Sequence, residues 1–141
     1  ILKVNGIEII NDAYNANPMS MRAAIRTFAG VAAASGKWLV LAGMLELGAT
    51  ERLEHLALGQ FVASGGWKGL VTVGDLGKLI AEGARTAGLH NEQIFECDGN
   101  RMAADVVSKN AVSGDAVLLK ASRGMKLEEV VKELKNSRSE P

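Results

Sequence analysis

The chain has 141 residues, of which 48% are hydrophobic and 23% are charged. This balance is typical of one globular domain with a substantial core and excludes a disordered chain. The 16 Lys and Arg residues cancel the 16 Asp and Glu residues, so we expect no nucleic-acid partner and no binding to an anionic membrane surface.

The first part of the chain predicts a hairpin, a strand and a helix. Asn5-Gly6 is a tight-turn dipeptide, so a small hairpin should lead into a strand over residues 7–10. Asn17 is placed as the N-cap of a helix, and Pro18 as its first residue. The helix is predicted to reach Ala34, on apolar spacing that continues to Val31, and Gly36 is predicted to end it.

The rest of the chain alternates strand-length apolar runs with segments of helical period, which is typical of βαβ units. A doubly wound, mostly parallel α/β sheet with helices on both faces, similar to a Rossmann fold, is therefore predicted. The predicted strands are 37–42, 69–73, 93–97 and 116–120. The predicted helices are 50–64 with Thr50 as cap, 75–87 with Asp75 as cap, 100–110 and 126–135, followed by a frayed tail.

The loop from Asn11 to Pro18 follows the first long strand, and ligands of such folds bind at the carboxyl ends of strands. Its acid, its phenol and its three amides can donate to and accept from a purine base or a ribose. The same Asn and Asp residues can instead form Asx-turns and a helix cap. The residue pattern alone leaves both interpretations open.

The loop from Lys120 to Met125 follows the last strand and enters the last predicted helix. Ser122 and Arg123 at a helix entrance can bind a carboxylate, since Arg does so through two parallel hydrogen bonds. The alternative is a Ser cap beside a solvated Arg. A nucleophilic Ser is not expected, because neither His55 nor His90 has a recognisable orienting partner.

Several kinds of site are not predicted. No P-loop and no dinucleotide-binding glycine motif occurs, so the sequence has a nucleotide-binding shape without its own phosphate loop. No group of His, Asp or Glu has metal-ligand spacing. Cys97 is the single cysteine; it excludes an internal disulfide, agrees with a cytoplasmic location and is interpreted as a small apolar residue, while His55 is interpreted as structural.

Three loop sequences resemble, in order and spacing, the C-terminal domain of the bacterial Mur ligases. They are Asp12-Ala13-Tyr14-Asn15-Ala16-Asn17-Pro18, Gly43-Met44-Leu45-Glu46-Leu47-Gly48 and Lys120-Ala121-Ser122-Arg123-Gly124-Met125. The first string is similar to the branch of the family that adds D-alanyl-D-alanine to UDP-N-acetylmuramoyl-tripeptide in peptidoglycan synthesis. Residues 1–141 are accordingly interpreted as one domain of a three-domain enzyme, preceded by an N-terminal and a central domain.

The resemblance implies an ATP-dependent ligase that forms an amide bond through an acyl phosphate. It implies that the central domain holds most of the ATP and the Mg²⁺, that no catalytic residue lies in this chain, and that the chain alone is inactive. The implied nucleotide contacts are Asp12, Tyr14, Asn15 and Asn17. The implied contacts to the D-Ala-D-Ala substrate are Ser122 and Arg123.

Two positions depart from the family pattern, which has an acid where this chain has Gly43 and a glycine where it has Ala121. Two other interpretations remain open. One is the C-terminal domain of an enzyme similar to folylpolyglutamate synthase, which should lack the string Asn15-Ala16-Asn17. The other is a non-catalytic nucleotide-binding or interaction module, and the coding sequence upstream of Ile1 would distinguish it.

Overall fold

The computed structural model of this chain describes residues 2–12 and 16–139, without the side chains of residues 123 and 137–139. In these ranges the sheet has six strands in the spatial order β1-β2-β6-β3-β4-β5. β1 is antiparallel to β2, and the other neighbouring strands are parallel. The strands are β1 (Leu2–Val4), β2 (Ile7–Asp12), β3 (Lys37–Leu41), β4 (Gly69–Val73), β5 (Ile94–Cys97) and β6 (Ala116–Lys120).

Helices cover both faces of the sheet. The helices are α1 (Pro18–Ala29), α2 (Glu51–Ala63), α3 (Gly74–Thr86), α4 (Asn100–Asn110) and α5 (Glu128–Ser139). The core side chains of α1, α2 and α3 form one buried cluster, and those of α4 and α5 belong to a second cluster. The predicted doubly wound α/β fold and the N-terminal hairpin are therefore confirmed.

Strand β3 lies between these two clusters. Trp38 and Val40 belong to the cluster under α4 and α5, whereas Leu39 and Leu41 belong to the cluster under α1 to α3. All four side chains are at most 3% exposed. A strand buried on both faces has no polar position to alternate with, which is why its sequence is a continuous apolar run.

Helix α1 begins as predicted and ends earlier than predicted. Asn17 Oδ1 accepts a hydrogen bond from the Ser20 N–H at 2.8 Å, and the Asn17 N–H donates to Ser20 Oγ at 3.0 Å. The prediction that α1 reaches Ala34 was wrong, because α1 ends at Ala29. The ammonium of Lys37 donates to the Ala29 carbonyl oxygen at 2.5 Å, so this side chain binds the open end of the helix.

Thr50 holds the predicted N-cap position of α2 but makes no capping hydrogen bond, and the predicted cap Asp75 was wrong. The Thr50 hydroxyl donates to the Leu47 carbonyl oxygen at 3.0 Å and caps no helix N–H, because a 3₁₀ turn (Gly48–Thr50) precedes α2. Asp75 lies inside the first turn of α3, with its side chain 99% exposed. Gly74 has φ +79°, so the chain turns directly from β4 into α3, and the N-cap position falls on Val73, whose apolar side chain makes no capping hydrogen bond.

The start of the last helix also differs from the prediction. α5 begins at Glu128 rather than near Lys126, and its first turn contains two acids, Glu128 and Glu129. Residues predicted as a frayed tail are helical through Ser139. The loop after β6 therefore contains its own 3₁₀ turn (Arg123–Met125) and does not enter the helix directly.

A buried carboxylate, Asp115, joins the loops that precede β3, β4 and β6, at the amino-terminal ends of these parallel strands. Asp115 is 1% exposed, and four groups donate to it: the N–H groups of Gly36 and Val112, the indole of Trp38 and the ammonium of Lys68. Burial by itself raises the pKa of Asp115, but the four hydrogen bonds together lower this pKa to about 2.

No helix in the described part of the chain is long and apolar enough to cross a membrane.

Candidate functional site

The loops that follow β2, β3 and β6 meet at one edge of the sheet. β6 lies between β2 and β3 and is parallel to both, so the carboxyl ends of the three strands are adjacent. The three loops line a cleft of about 490 Å³. Its lining residues are Ala16, Asn17, Leu45, Glu46, Leu47, Ser122 and Gly124.

Ser122 connects the three loops through its backbone and its hydroxyl. Its N–H donates to the Gly43 carbonyl oxygen at 3.1 Å. Its Oγ accepts from the Leu45 N–H at 2.8 Å and donates to the Ala16 carbonyl oxygen at 3.4 Å. The side chain predicted to bind substrate therefore also holds the cleft together.

His55 supports the middle loop from beneath. It lies on α2 and is completely buried. Its Nε2 accepts a hydrogen bond from the Met44 N–H at 2.9 Å, and its Nδ1 lies 2.6 Å from the Glu51 carbonyl oxygen. The geometry agrees with the structural interpretation of this histidine and connects it to the wall of the cleft.

The middle loop contains an unusual backbone conformation. Glu46, which lines the cleft, has φ +64°, a left-handed backbone value that residues other than glycine rarely adopt. Gly48 has φ +63° two residues later. Such strain persists only where surrounding contacts impose it, so this loop is held in its shape by its anchors.

Asp12 and Lys120 form an ion pair beside the cleft. Lys120 Nζ lies 3.2 Å from Asp12 Oδ2, with the lysine side chain 4% exposed and the aspartate side chain 47% exposed. Both residues line a second hollow of about 360 Å³ between α1 and the sheet. This pair joins the ends of β2 and β6, where the register places the two residues side by side.

The structure brings together two of the predicted site residues, Asn17 and Ser122, in one cleft. Asp12 stands in the neighbouring hollow. Tyr14 and Asn15 lie outside the described residues, and of Arg123 only the backbone is described. The binding roles assigned to all of these residues remain predictions.

Asn100 is a residue of this region that the sequence analysis did not single out. It is the first residue of α4, and its Nδ2 lies 3.3 Å from the Met125 carbonyl oxygen and 3.0 Å from the Lys126 carbonyl oxygen. It therefore holds the far end of the segment that begins at Ser122. An amide at a helix start was the available signal, but its partners are about 25 residues away, so no local pattern reveals them.

The two departures from the family pattern both fit the packing. A Cβ on Gly43 would stand 2.5 Å from Leu76 Cδ1, so α3 fills the space that a side chain there would need. The Ala121 methyl is completely buried in the cluster under α4 and α5. At both positions the residue present matches the space that its neighbours leave.

In ranges 2–12 and 16–139 no group of three His, Cys, Asp or Glu side chains could hold a metal ion. Cys97 is buried, and burial, followed by the negative charges of Asp98 and Asp105, raises the pKa of its thiol to about 11. The thiolate is thus disfavoured, in keeping with the interpretation of Cys97 as a small apolar residue.

Comparison with known proteins places this chain in a family. Residues 1–123 match the family described as Mur ligase, glutamate ligase domain. The UDP-N-acetylmuramoyl-tripeptide–D-alanyl-D-alanine ligase of Bacillus subtilis is 42% identical over 130 residues, which cover 92% of this chain and 28% of that enzyme. The chain thus spans less than a third of the length of this curated relative.

Two solved structures are similar in fold. A crystal structure of MurF from Acinetobacter baumannii has a TM-score of 0.81 and 27% identity, over 96% of this chain and 29% of that one. The MurF ligase of Thermotoga maritima in complex with ADP has a TM-score of 0.78 over the same 96% and 29%. At 22% identity, this second likeness concerns the fold alone.

Proposed function

Because this chain belongs to the Mur ligase family through its glutamate ligase domain, we propose that it is the C-terminal domain of a cytoplasmic, ATP-dependent ligase. The reaction proposed is the addition of D-alanyl-D-alanine to UDP-N-acetylmuramoyl-tripeptide in peptidoglycan precursor synthesis. The single observation that carries this proposal is the meeting of the three family-like loops in one cleft. The name and the 42% identity of the Bacillus subtilis relative support the choice of substrates.

The proposed chemistry has two steps. The terminal carboxylate of the UDP-linked tripeptide attacks the γ-phosphorus of ATP, and ADP leaves as an acyl phosphate forms. The amine of the dipeptide then attacks the acyl carbon, an amide bond forms and inorganic phosphate leaves. We assign the phosphate-binding loop and the Mg²⁺ site to the preceding central domain.

The contribution of this chain is to hold the reactants and exclude water. In this proposal the loop with Asp12, Tyr14, Asn15 and Asn17 contacts the base or ribose of the nucleotide. Arg123 binds the carboxylate of the dipeptide, whose amine must stay free to attack, and the Ser122 hydroxyl joins it by exchanging its hydrogen bond to the Ala16 carbonyl oxygen for one to the carboxylate. The carboxylate is attracted by the charge of Arg123 and not by a helix dipole, since α5 begins only at Glu128.

The test uses the full-length protein encoded by the gene that contains this chain. The enzyme is incubated with UDP-N-acetylmuramoyl-tripeptide, ATP, Mg²⁺ and D-Ala-D-Ala, and mass spectrometry follows the product. We expect a product whose mass is that of the two substrates minus one water, together with release of one phosphate per product. Omission of the dipeptide should abolish this product.

Two alternatives give different results in the same assay. The assay is repeated with a folate and glutamate in place of the muramoyl tripeptide and the dipeptide. An enzyme similar to folylpolyglutamate synthase would consume ATP with this second pair of substrates and not with the first. A non-catalytic module would release no phosphate with either substrate pair. Either result would contradict the proposed function.

A further inference from the structure

The two hydrogen bonds of His55 determine where its proton lies. The Glu51 carbonyl oxygen can only accept, so the Nδ1 atom 2.6 Å away must carry a proton. The Met44 N–H can only donate, so Nε2 must be an unprotonated acceptor. The buried ring is therefore neutral and protonated on Nδ1, and its Nε2 is committed to one backbone N–H.

Met44 is the middle residue of segment 43–45, whose two outer residues form hydrogen bonds with Ser122. The residue before it, Gly43, accepts a hydrogen bond from the Ser122 N–H, and the residue after it, Leu45, donates to Ser122 Oγ. A shift of Met44 would move both of these partners together. The bond from His55 therefore acts on Ser122 through a single residue.

The loop that contains this segment needs an anchor, because its backbone at Glu46 has other conformations of lower energy. Glu46, two residues after Met44, has φ +64° without the freedom of glycine. His55 lies on α2, and its ring is held at the other end by its own helix. A side chain fixed in this way can impose a conformation on a loop.

We propose that His55 is a positioning residue of the cleft, which sets segment 43–45 so that Ser122 faces the substrate. The identity of that substrate, D-alanyl-D-alanine, rests on the proposed function. His55 itself is completely buried and lines neither cleft nor hollow. Its effect on substrate is exerted entirely through the Met44 N–H.

Three substitutions in the full-length protein separate this role from simple core filling. His55→Gln places an amide oxygen near the position of Nε2 and keeps an acceptor for Met44. His55→Asn reaches only the position of Nδ1, and His55→Leu fills volume without any acceptor. Hydrogen exchange measured by mass spectrometry then reports on peptides covering residues 43–48 and 120–126, with α4 peptides as the internal reference.

We expect His55→Leu and His55→Asn to accelerate exchange in these two segments and to raise the KM for D-Ala-D-Ala roughly tenfold, the effect of one lost buried hydrogen bond. Exchange in α4 should not change, and His55→Gln should resemble the wild type in both measurements. Equal behaviour of the Gln and Asn variants, or faster exchange throughout the domain, would overturn the proposal. An unchanged KM despite locally faster exchange would overturn it as well.

The exchange measurement does not depend on the reaction. If the wild-type enzyme forms no product from the muramoyl substrates, the proposed function fails. The exchange pattern of the His55 variants still decides whether this residue holds the loop. The two failures are therefore distinguishable.

Discussion

Leu76 lies against Gly43 so closely that a Cβ on the glycine would stand 2.5 Å from Leu76 Cδ1 and 2.7 Å from Leu76 Cβ. The second distance involves an atom fixed to the backbone of α3, so rotation of the leucine side chain cannot relieve the contact. Gly43 occupies the position of an acid in the family pattern. In this chain α3 leaves no space for a side chain at position 43, and a larger residue would have to displace the helix.

Replacement of this glycine should destabilise the protein. Gly43→Ala is expected to lower the free energy of unfolding by about 1–3 kcal/mol, the usual cost of forcing an atom into a packed site. Chemical denaturation followed by circular dichroism measures the change. Gly66→Ala is the matched control, because a Cβ there meets nothing within 4 Å, and equal effects of the two substitutions would contradict the packing argument.

Asp115 should make stability depend on pH in the acid range. Its pKa in the folded protein is about 2, below the ordinary value of 3.8, so the unfolded chain binds more protons between these values. The stabilisation from Asp115 is then fully present above about pH 4 and is lost as the pH falls through about 2. Unfolding free energies measured from pH 6 to pH 2 should fall along this course.

The variant Asp115→Asn tests the assignment of that pH dependence. It should be less stable than the wild type at neutral pH by about 1.5–3 kcal/mol, because the four donors lose a charged acceptor while Lys68, its ionic partner, stays 37% exposed. The difference between the two proteins should shrink as the pH approaches 2. Asp75→Asn, whose side chain is 99% exposed, serves as a control that should retain the wild-type slope.

The inner strands β3, β4 and β6 could be predicted from the sequence because burial on both faces leaves continuous apolar runs. The predicted bounds of the last strand, Ala116 to Lys120, agree with β6. The end of α1 could not be predicted from periodicity, because apolar spacing continues to Val31 while the Lys37 ammonium binds the helix end at Ala29. A side chain from the next strand decides that boundary.

The site could be predicted only in its parts. The residue pattern places Asn17 as a helix cap and Ser122 in a loop at a strand end, and both features are present. The bond between Leu45 and Ser122 joins residues 77 positions apart, so it depends on the strand order and not on any local motif. The support from His55 has the same origin, since it requires α2 to pack beneath the loop.

Asn17 and Asn15 should respond differently to the same substitution. Asn17→Ala removes the cap of α1 and should lower stability by about 0.5–2 kcal/mol, whereas Asn17→Asp keeps an acceptor for the Ser20 N–H and should restore it. Asn15→Ala should instead raise the KM for ATP roughly two- to tenfold, the cost of one hydrogen bond to a neutral group. An unchanged ATP KM with a lower melting temperature would give Asn15 a structural role.

Arg123 should determine how well the enzyme uses the dipeptide. Loss of a charge-assisted hydrogen bond corresponds to a roughly ten- to hundredfold change, so Arg123→Ala should raise the KM for D-Ala-D-Ala by that factor and leave the KM for ATP nearly constant. Arg123→Lys keeps the charge without the planar guanidinium group, so its KM for D-Ala-D-Ala should lie between those of the wild type and Arg123→Ala. Lys109→Ala, at an exposed position in the last turn of α4, should have no effect on either KM. A normal dipeptide KM with a poorer ATP KM would instead assign Arg123 to the nucleotide.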